Sequence, residues 1–335
     1  MKEKLVIIDG SSLIYRAFYA LPLLTNSEGI YTNAVYGFLR MLLKLYQDTA
    51  PDYIAVSFDK SRHTFRSEMY EGYKSTRKDT PAELAPQFSL LMDVLRSMGI
   101  AVFEAEGYEG DDILGTIARR YEQEQAVFIV TGDRDALQLV NEHTTVFLTK
   151  KGISQMLLMD SDAVSDTYGI TPQQVVDAKA LMGDASDNIP GVAGVGEKTA
   201  VNLMKQFGNL DEVYSRLNEV KGAKLKEKLA AGRESAYLSR DLARIRTDVP
   251  IETDLADMAR PVHAEEMKTL FKALGFQHLL KDFSGFRRYG ELLEENGKKT
   301  VSQLPADIPV LPWVKGIDIK GEIVSLVPVI SGTAP

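Results

Sequence analysis

The chain has 335 residues, of which 44% are hydrophobic and 26% charged, and this is ordinary for a globular protein of one or two domains. It has no cysteine, which excludes disulfides and thiolate metal sites, and no apolar run approaches the ~20 residues of a membrane span, so a cytoplasmic protein fits best. The net charge of −8 argues at first against a nucleic-acid partner, but a few clustered acids hold most of that excess.

The first 150 residues alternate short apolar runs with amphipathic patterns. The apolar runs predict strands at 4–8, 53–58, 100–103, 126–130 and 144–148. The segments between them predict helices at 11–20, 33–48, 83–98, 110–124 and 134–140. This alternation predicts an α/β fold with a mostly parallel central sheet flanked by helices on both faces.

The later part of the chain has a different pattern. Residues from about 160 to 290 are almost entirely helical in periodicity, with helix patterns at 172–182 and 198–206 on either side of a glycine-rich insert. Residues 291–300 are polar, and the remaining 35 are too few for an independent core. We therefore interpret 291–335 as a linker or the truncated start of a following domain.

Acidic residues mark the predicted strand ends and three glycine-flanked clusters. The candidates are Asp9, Asp59, Glu109, Asp111, Asp112, Asp133, Asp135, Asp184 and Asp187. The carboxyl ends of parallel strands share one edge of a sheet, where open α/β folds bind ligands. At 4 Å, each pair of like charges costs roughly 4 kcal/mol at an effective dielectric of 20, so gathered carboxylates need a cation. Oxygen-only ligands indicate Mg²⁺ or Mn²⁺ rather than Zn²⁺.

Each of these acids has a plainer explanation when it is taken alone. Asp9 can cap the next helix, and Asp111 and Asp112 can interact with the dipole of theirs. The clusters at 133–135 and 184–187 can be solvated turns. Taken together, three clusters beside glycine favour a metal site, and metal-assisted phosphoryl chemistry is the first hypothesis.

Two stretches are locally basic despite the negative total. Residues 60–78 hold six basic residues against two acidic ones, and residues 221–246 hold eight against three. The stretch from about 60 to 80 has no strand pattern and is long for a connection, so we interpret it as a mobile, partly helical cover over the acidic edge. A solvated charged helix face is the alternative.

The insert Pro190-Gly-Val-Ala-Gly-Val-Gly196 lies between two helix patterns, and its spacing matches neither of the common nucleotide-binding loops. A glycine-rich hairpin at a helix N-terminus exposes backbone N–H groups that suit a phosphate, and Lys198 and Lys205 add positive charge. A simple tight turn between helices is the alternative.

In their order along the chain, these motifs resemble the 5′ nuclease (flap endonuclease-like) family, most closely the N-terminal 5′→3′ exonuclease domain of bacterial DNA polymerase I. The resemblance covers about 1–290. The motifs that carry it are Val6-Ile-Ile-Asp-Gly-Ser-Ser12, Phe58-Asp59, Tyr70-Glu-Gly-Tyr-Lys-Ser-Thr-Arg77, Glu106-Gly-Tyr-Glu-Gly-Asp-Asp112, Thr131-Gly-Asp-Arg-Asp135, Gly183-Asp-Ala-Ser-Asp-Asn-Ile-Pro-Gly-Val192 and Gly194-Val-Gly-Glu-Lys-Thr-Ala200.

The resemblance implies a role for each candidate residue. The first metal would be held by Asp9, Asp59, Glu109 and Asp111, and the second by Asp133, Asp135, Asp184 and Asp187, with Asp111 shared and Asp112 in support. Lys74 and Arg77 would act on the scissile phosphate together with the catalytic acids Asp111 and Asp133. The implied DNA contacts are Tyr73, where a base could stack, Lys74, Arg77, Gly191, Gly194, Gly196, Lys198 and Thr199.

The implied architecture is a PIN-like or resolvase-like core at 1–160 with a basic arch at about 60–80. A helical DNA-binding region at 161–290 would follow, with a helix–hairpin–helix element at about 183–206. The implied activity is structure-dependent 5′→3′ exonuclease and flap endonuclease cleavage by two Mg²⁺ ions, which Mn²⁺ can replace, with K⁺ at the hairpin.

The resemblance also implies the partners: DNA with a 5′ flap, nick or free 5′ end, and RNA primer–DNA hybrids, in replication and repair. The protein would be a monomer associated with the bacterial nucleoid, with no membrane contact. A PIN-like ribonuclease and a non-catalytic DNA-binding module are the alternatives. Cleavage of single-stranded RNA but not flapped DNA would favour the first, and DNA binding without metal-dependent cleavage the second.

Overall fold

A central β-sheet organises the molecule in a computed structural model that describes residues 2–150, 155–286, 288 and 289. Its strands are β1 Lys4–Asp9, β2 Tyr53–Ser57, β3 Ala101–Phe103, β4 Ala126–Thr131, β5 Thr144–Thr149 and β6 Met156–Met159. Their order across the sheet is β3-β2-β1-β4-β5-β6. The first five are parallel and β6 is antiparallel to β5, which confirms the predicted mostly parallel sheet. The edge strand β6 was not predicted.

Helices flank the sheet and make up most of the described chain after it. The first six are α1 Gly10–Ala20, α2 Asn33–Thr49, α3 Phe65–Met69, α4 Ala85–Ser97, α5 Gly110–Tyr121 and α6 Ser161–Tyr168. The later ones are α7 Val175–Met182, α8 Glu197–Phe207, α9 Leu210–Ser215, α10 Ala223–Ala231, α11 Arg233–Ala243, α12 Ala264–Ala273 and α13 Gln277–Ser284. Short 3₁₀ helices occupy Arg134–Leu139, Pro172–Gln174, Leu217–Glu219 and Leu255–Ala259. The predicted helix at 134–140 is therefore a 3₁₀ helix.

The sheet is covered on both faces, because alternate residues of each strand enter different cores. Val6 and Ile8 of β1 pack with α1, α2 and α4, whereas Leu5 and Ile7 pack with α5 and the 3₁₀ helix that follows β4. All four side chains are almost fully buried, and each contributes roughly 1.5–3 kcal/mol by its transfer from water. This two-sided burial explains why the strand sequences are continuous apolar runs.

The helical region divides between two cores. Helices α7 to α11 enclose a separate apolar cluster that includes Leu181, Met204 and Leu229. The last two helices instead return to the sheet domain, where Phe271 and Phe283 join the core under α2 and α4. The predicted tail segment 291–335 lies outside the described residues. In the part of the chain that the structure describes, we find no helix that is both long and apolar enough to cross a membrane.

Candidate metal and nucleic-acid site

The strand topology gathers the predicted acids at one edge of the sheet. Asp9 ends β1. The strands β2 and β3 lie on one side of β1 and the strands β4, β5 and β6 on the other, so the strand order reverses here and β1 marks the switch point of the sheet. Asp59 follows β2 by two residues and Asp133 follows β4 by two residues. Asp111 lies in the first turn of α5, the helix that follows β3. Ligands bind at such switch points in open α/β sheets, and the prediction of a shared acidic edge is met here.

A pocket of about 250 Å³ opens at this edge. Four of the predicted ligands line it: Asp9, Asp59, Asp111 and Asp133. The cationic side chains of Lys74 and Arg77 also line it, and Ser11, Ser12 and Tyr15 complete its wall. The pocket thus brings together both catalytic acids and both basic residues expected from the sequence.

Asp9 both caps a helix and lines the acidic pocket. Its Oδ1 accepts a hydrogen bond from the Ser12 N–H at 2.8 Å, which caps α1, and its Oδ2 accepts one from the Thr131 hydroxyl at 2.6 Å. Burial raises the pKa of Asp9 to about 7, against these hydrogen bonds and with help from the negative charges of Asp59 and Asp133. The same carboxylate therefore caps a helix and takes part in the acidic pocket.

The pocket carboxylates repel one another strongly. Burial, together with the charges of Asp9, Asp133 and Asp59, raises the pKa of Asp111 well above its usual range. Among the described residues, neither Asp111 nor Asp133 has a salt-bridge partner. A divalent cation relieves such repulsion, and carboxylate oxygens are the ligands that hard cations prefer. The donor chemistry therefore fits the Mg²⁺ or Mn²⁺ expected from the sequence.

Lysine and arginine side chains neutralise the other predicted ligands. The Lys74 ammonium lies 2.8 Å from Glu109 Oε2, which also accepts a hydrogen bond from the Tyr73 hydroxyl at 3.1 Å. Arg77 Nη2 lies 2.5 Å from Asp187 Oδ1. These contacts hold residues 60–78, the basic segment, against the acidic edge of the sheet.

A second acidic group lies beside the first, in a cavity of about 540 Å³. Lys179 of α7 contacts both Asp135 and Asp184, the latter at 2.6 Å. Burial and the charge of Asp133 raise the pKa of Asp135 to about 6 despite Lys179. Although burial opposes it, hydrogen bonds from Lys179 and Ser186 lower the pKa of Asp184 to about 2.

These ion pairs engage several of the predicted ligands one by one. Within the described residues, no three Asp, Glu, His or Cys side chains are already grouped as a metal cage. Lys74, Arg77 and Lys179 instead neutralise carboxylates that a bound metal ion would neutralise. Lys179 was not predicted from the sequence. Its signal was a lysine in the short, largely apolar helix Val175–Met182, because a lysine that is buried there requires an acidic partner.

Asp112 is a correction to the predicted ligand set. It is fully buried, and both of its carboxylate oxygens accept hydrogen bonds from Arg66 at 2.7 Å. The backbone N–H groups of Glu109 and Arg246 occupy its remaining lone pairs at 3.1 and 2.8 Å. Asp112 therefore has no oxygen free for a metal ion, although it adjoins Asp111 in the chain.

Tyr73 also differs from the prediction. Only 8% of it is exposed, and its ring packs against Ile189, Leu242 and Ala243 rather than facing solvent. The Asn188 amide donates to the Gly72 carbonyl at 2.7 Å and the Lys74 N–H to the Asp187 carbonyl at 2.8 Å. In this conformation the predicted arch is folded against the 184–189 loop, and Tyr73 is not positioned to stack on a base.

The glycine-rich hairpin has one packed glycine and two exposed ones. Gly191 is buried at φ +61°, its N–H donates to Ser239 Oγ at 2.9 Å, and a Cβ there would lie 2.3 Å from the Gly183 nitrogen. Gly191 is thus a packing residue rather than the expected DNA contact. Gly194 and Gly196 are exposed, and α8 begins at Glu197 without a side-chain cap, with Lys198 exposed in its first turn.

Fold and site together define the class: an α/β protein with an acidic pocket at the switch point of its sheet, lined also by Lys74 and Arg77, and with a glycine-rich hairpin in the helical region that follows. The family model described as "5'-3' exonuclease, N-terminal resolvase-like domain" matches residues 4–169. The model described as "5'-3' exonuclease, C-terminal SAM fold" matches residues 170–266. The chain belongs to the 5′-3′ exonuclease family.

Similar proteins include bacterial DNA polymerases. The chain is 52% identical to DNA polymerase I of Bacillus caldotenax over 283 residues, which are 84% of this chain and 32% of the relative. It is 43% identical to DNA polymerase I of Bacillus subtilis over 316 residues, 93% of this chain and 36% of the relative. The chain therefore spans about a third of the length of these relatives.

The fold is also found in solved structures. The flap endonuclease of bacteriophage T5, crystallised as a pseudo-enzyme–product complex with DNA and metal ions, aligns with a TM-score of 0.62. The alignment covers 82% of this chain and all of that one, at 21% sequence identity. This similarity confirms the predicted architecture of a resolvase-like core followed by a helical region.

Proposed function

We propose that the chain is a divalent-metal-dependent 5′→3′ exonuclease and flap endonuclease that hydrolyses DNA phosphodiesters. The observation that carries the proposal is the pocket that Asp9, Asp59, Asp111 and Asp133 line together with Lys74 and Arg77. Its acids can hold divalent cations, and its two cationic side chains can hold a phosphate. Family membership and the names of the similar proteins support the same activity.

Two Mg²⁺ ions, replaceable by Mn²⁺, form part of this proposal. Asp9, Asp59, Glu109 and Asp111 would hold one ion, and Asp133, Asp135, Asp184 and Asp187 the other. When bound, such ions supply Lewis-acid stabilisation and a hydroxide nucleophile for phosphodiester hydrolysis.

Lys74 and Arg77 have the clearest chemical function among the chain's own residues. Each is paired with one carboxylate, Glu109 or Asp187, and each also lines the pocket. When a cation neutralises those carboxylates, the ammonium and guanidinium groups can pair with the scissile phosphate instead. They would then hold the phosphate in place and stabilise the negative charge that develops on it.

The substrate would be gripped through its backbone. The exposed first turn of α8 with Lys198, the partly exposed Thr199 and the basic stretch 221–246 offer contacts to phosphates that carry little sequence information. Specificity would then come from the shape of a 5′ flap, a nick or a free 5′ end, on DNA or on an RNA primer paired with DNA, as replication and repair require. The protein would act as a monomer, with affinity that falls steeply as salt rises.

K⁺ at the hairpin remains part of the proposal, with a restricted set of ligands. The Gly191 carbonyl accepts a hydrogen bond from Ser235 at 2.6 Å, and the Gly194 carbonyl accepts one from Lys228 at 3.1 Å. A bound K⁺ would use carbonyls that these two contacts leave free. Exchange of K⁺ for tetramethylammonium at constant ionic strength should lower the affinity for flap DNA, and equal affinity in both salts would remove K⁺ from the proposal.

The activity is tested with 5′-labelled flap DNA incubated with Mg²⁺ or with EDTA, and the product lengths read on a gel. Cleavage should require the metal, and Asp111→Asn and Asp133→Asn should abolish it while DNA binding persists. These two acids suit the test because neither has an ion-pair partner to disturb among the described residues. Cleavage of single-stranded RNA but not flap DNA would favour the ribonuclease, and metal-independent binding without cleavage the non-catalytic module.

A further inference from the structure

Arg66 is a buried arginine at the base of the basic segment, and only 2% of it is exposed. Its guanidinium donates to both oxygens of Asp112 at 2.7 Å. The same group donates to the carbonyl oxygens of Leu242 at 2.8 Å and Arg244 at 2.7 Å, and it lies 3.5 Å from Glu109. One side chain thus joins α3, the first turn of α5 and the chain that leaves α11.

The first turn of α5 is the part of this network that matters for the acidic pocket. It carries Asp111, which lines the pocket, one residue before Asp112, which is fixed by Arg66. Glu109, the residue before the helix, donates its backbone N–H to Asp112 as well. The orientation of Asp111 and Glu109 therefore depends on the same buried carboxylate.

We propose that Arg66 is a positioning residue for the metal site, acting through Asp112 on the first turn of α5. The inference rests on the proposed function, because it assigns Asp111 and Glu109 to a divalent ion. The planar fork of arginine meets a carboxylate and two carbonyls at once, and a lysine ammonium cannot reproduce that geometry. The charge alone is thus insufficient, and the shape of the guanidinium fixes the turn.

The test compares Arg66→Lys with the wild-type protein in a calorimetric Mn²⁺ titration without DNA. Losing a residue that orients metal ligands typically weakens metal affinity 10- to 100-fold, and we expect a loss of about tenfold here. Single-turnover cleavage of flap DNA should slow at low Mn²⁺ and recover at high Mn²⁺, whereas DNA affinity in EDTA should stay within about twofold. Arg62→Lys is the matched control, because Arg62 lies on the same segment but is exposed and pairs with Asp79 at the surface.

Unchanged Mn²⁺ affinity in a folded Arg66→Lys protein would overturn the proposal and leave Arg66 as a stabilising anchor only. If Arg66→Lys fails to fold, the double variant Arg66→Met with Asp112→Leu removes both buried charges together. A folded double variant with weakened Mn²⁺ binding would support the proposal, and wild-type binding would refute it. A wild-type protein that binds Mn²⁺ but leaves flap DNA intact would instead refute the proposed function, with the Mn²⁺ titration still deciding the role of Arg66.

Discussion

Lys179 gives the sharpest prediction about stability, because its ammonium is buried between Asp135 and Asp184. The change Lys179→Met keeps most of the apolar stem and removes the charge. Only 7% of the lysine side chain is exposed, against 17% and 23% for its two partners. The variant therefore leaves two largely buried carboxylates facing each other without a counterion.

The expected cost follows from this burial. Removing one partner of a buried ion pair costs about 3–5 kcal/mol, and the partial exposure of Asp184 places Lys179→Met near the lower end. A loss of about 3 kcal/mol lowers the unfolding temperature by roughly 6–12 °C in proteins of about 150–250 residues, and by less in this longer chain. A divalent ion can take the place of the missing ammonium, so metal should restore much of this loss by mass action.

The assay is thermal unfolding in EDTA and in saturating Mg²⁺. The metal-induced rise in unfolding temperature should be larger for Lys179→Met than for the wild-type protein. Lys44→Met is the control, because Lys44 forms a surface pair with Asp48 at 2.6 Å and should cost no more than about 0.5 kcal/mol. An unchanged unfolding temperature in EDTA, or an equal metal-induced rise in both proteins, would refute the charge-replacement argument.

Three further predictions concern the acidic pocket and the hairpin. Asp9→Asn should raise the unfolding temperature of the metal-free protein more at pH 8 than at pH 6. The pKa of Asp9 in the folded protein, about 7, exceeds the ordinary 3.8, so the cost of burying its ionised carboxylate is complete above pH 7 and fades below it. A difference that does not depend on pH would contradict this reasoning. Lys74→Ala should lower the single-turnover cleavage rate more than flap-DNA affinity, and loss of affinity alone would assign Lys74 to DNA grip. Gly191→Ala should destabilise the protein by at least about 1–3 kcal/mol in a denaturant melt. Gly196→Ala has open space around its Cβ and should cost only about 1 kcal/mol or less, the effect of a poorer N-cap residue for α8, so equal losses would argue against the packing role of Gly191.

The sequence predicts the sheet well because burial on both faces leaves a continuous apolar run. The predicted strand 4–8 corresponds to Lys4–Asp9, and 126–130 to Ala126–Thr131. The edge strand Met156–Met159 was missed because two of its four residues are exposed and its pairing with β5 has no local signal. Nor does periodicity show which core a helix joins, so the return of α12 and α13 to the sheet domain came only from the structure.

The candidate site shows the same limit at the level of single side chains. Adjacent acids such as Asp111 and Asp112 look equivalent in a sequence, but successive side chains on a helix point about 100° apart. One therefore lines the pocket and the other pairs with Arg66 on the far side of the turn. Lys179 was missed because Asp135 lies 44 residues earlier in the chain, and the pair with Asp184 forms only through the turn that follows α7.

The ion pairs that three cations form at the acidic edge have a consequence for any mutational scan of this protein. Lys74, Arg77 and Lys179 each neutralise one or more acids, so Glu109→Gln or Asp187→Asn also leaves a cation without its counterion. The phenotype of such a single change mixes lost chelation with a newly unbalanced positive charge. Substitutions made in matched pairs, one acid together with its own cation, keep the local sum of charges constant and isolate the chelating role of the carboxylate.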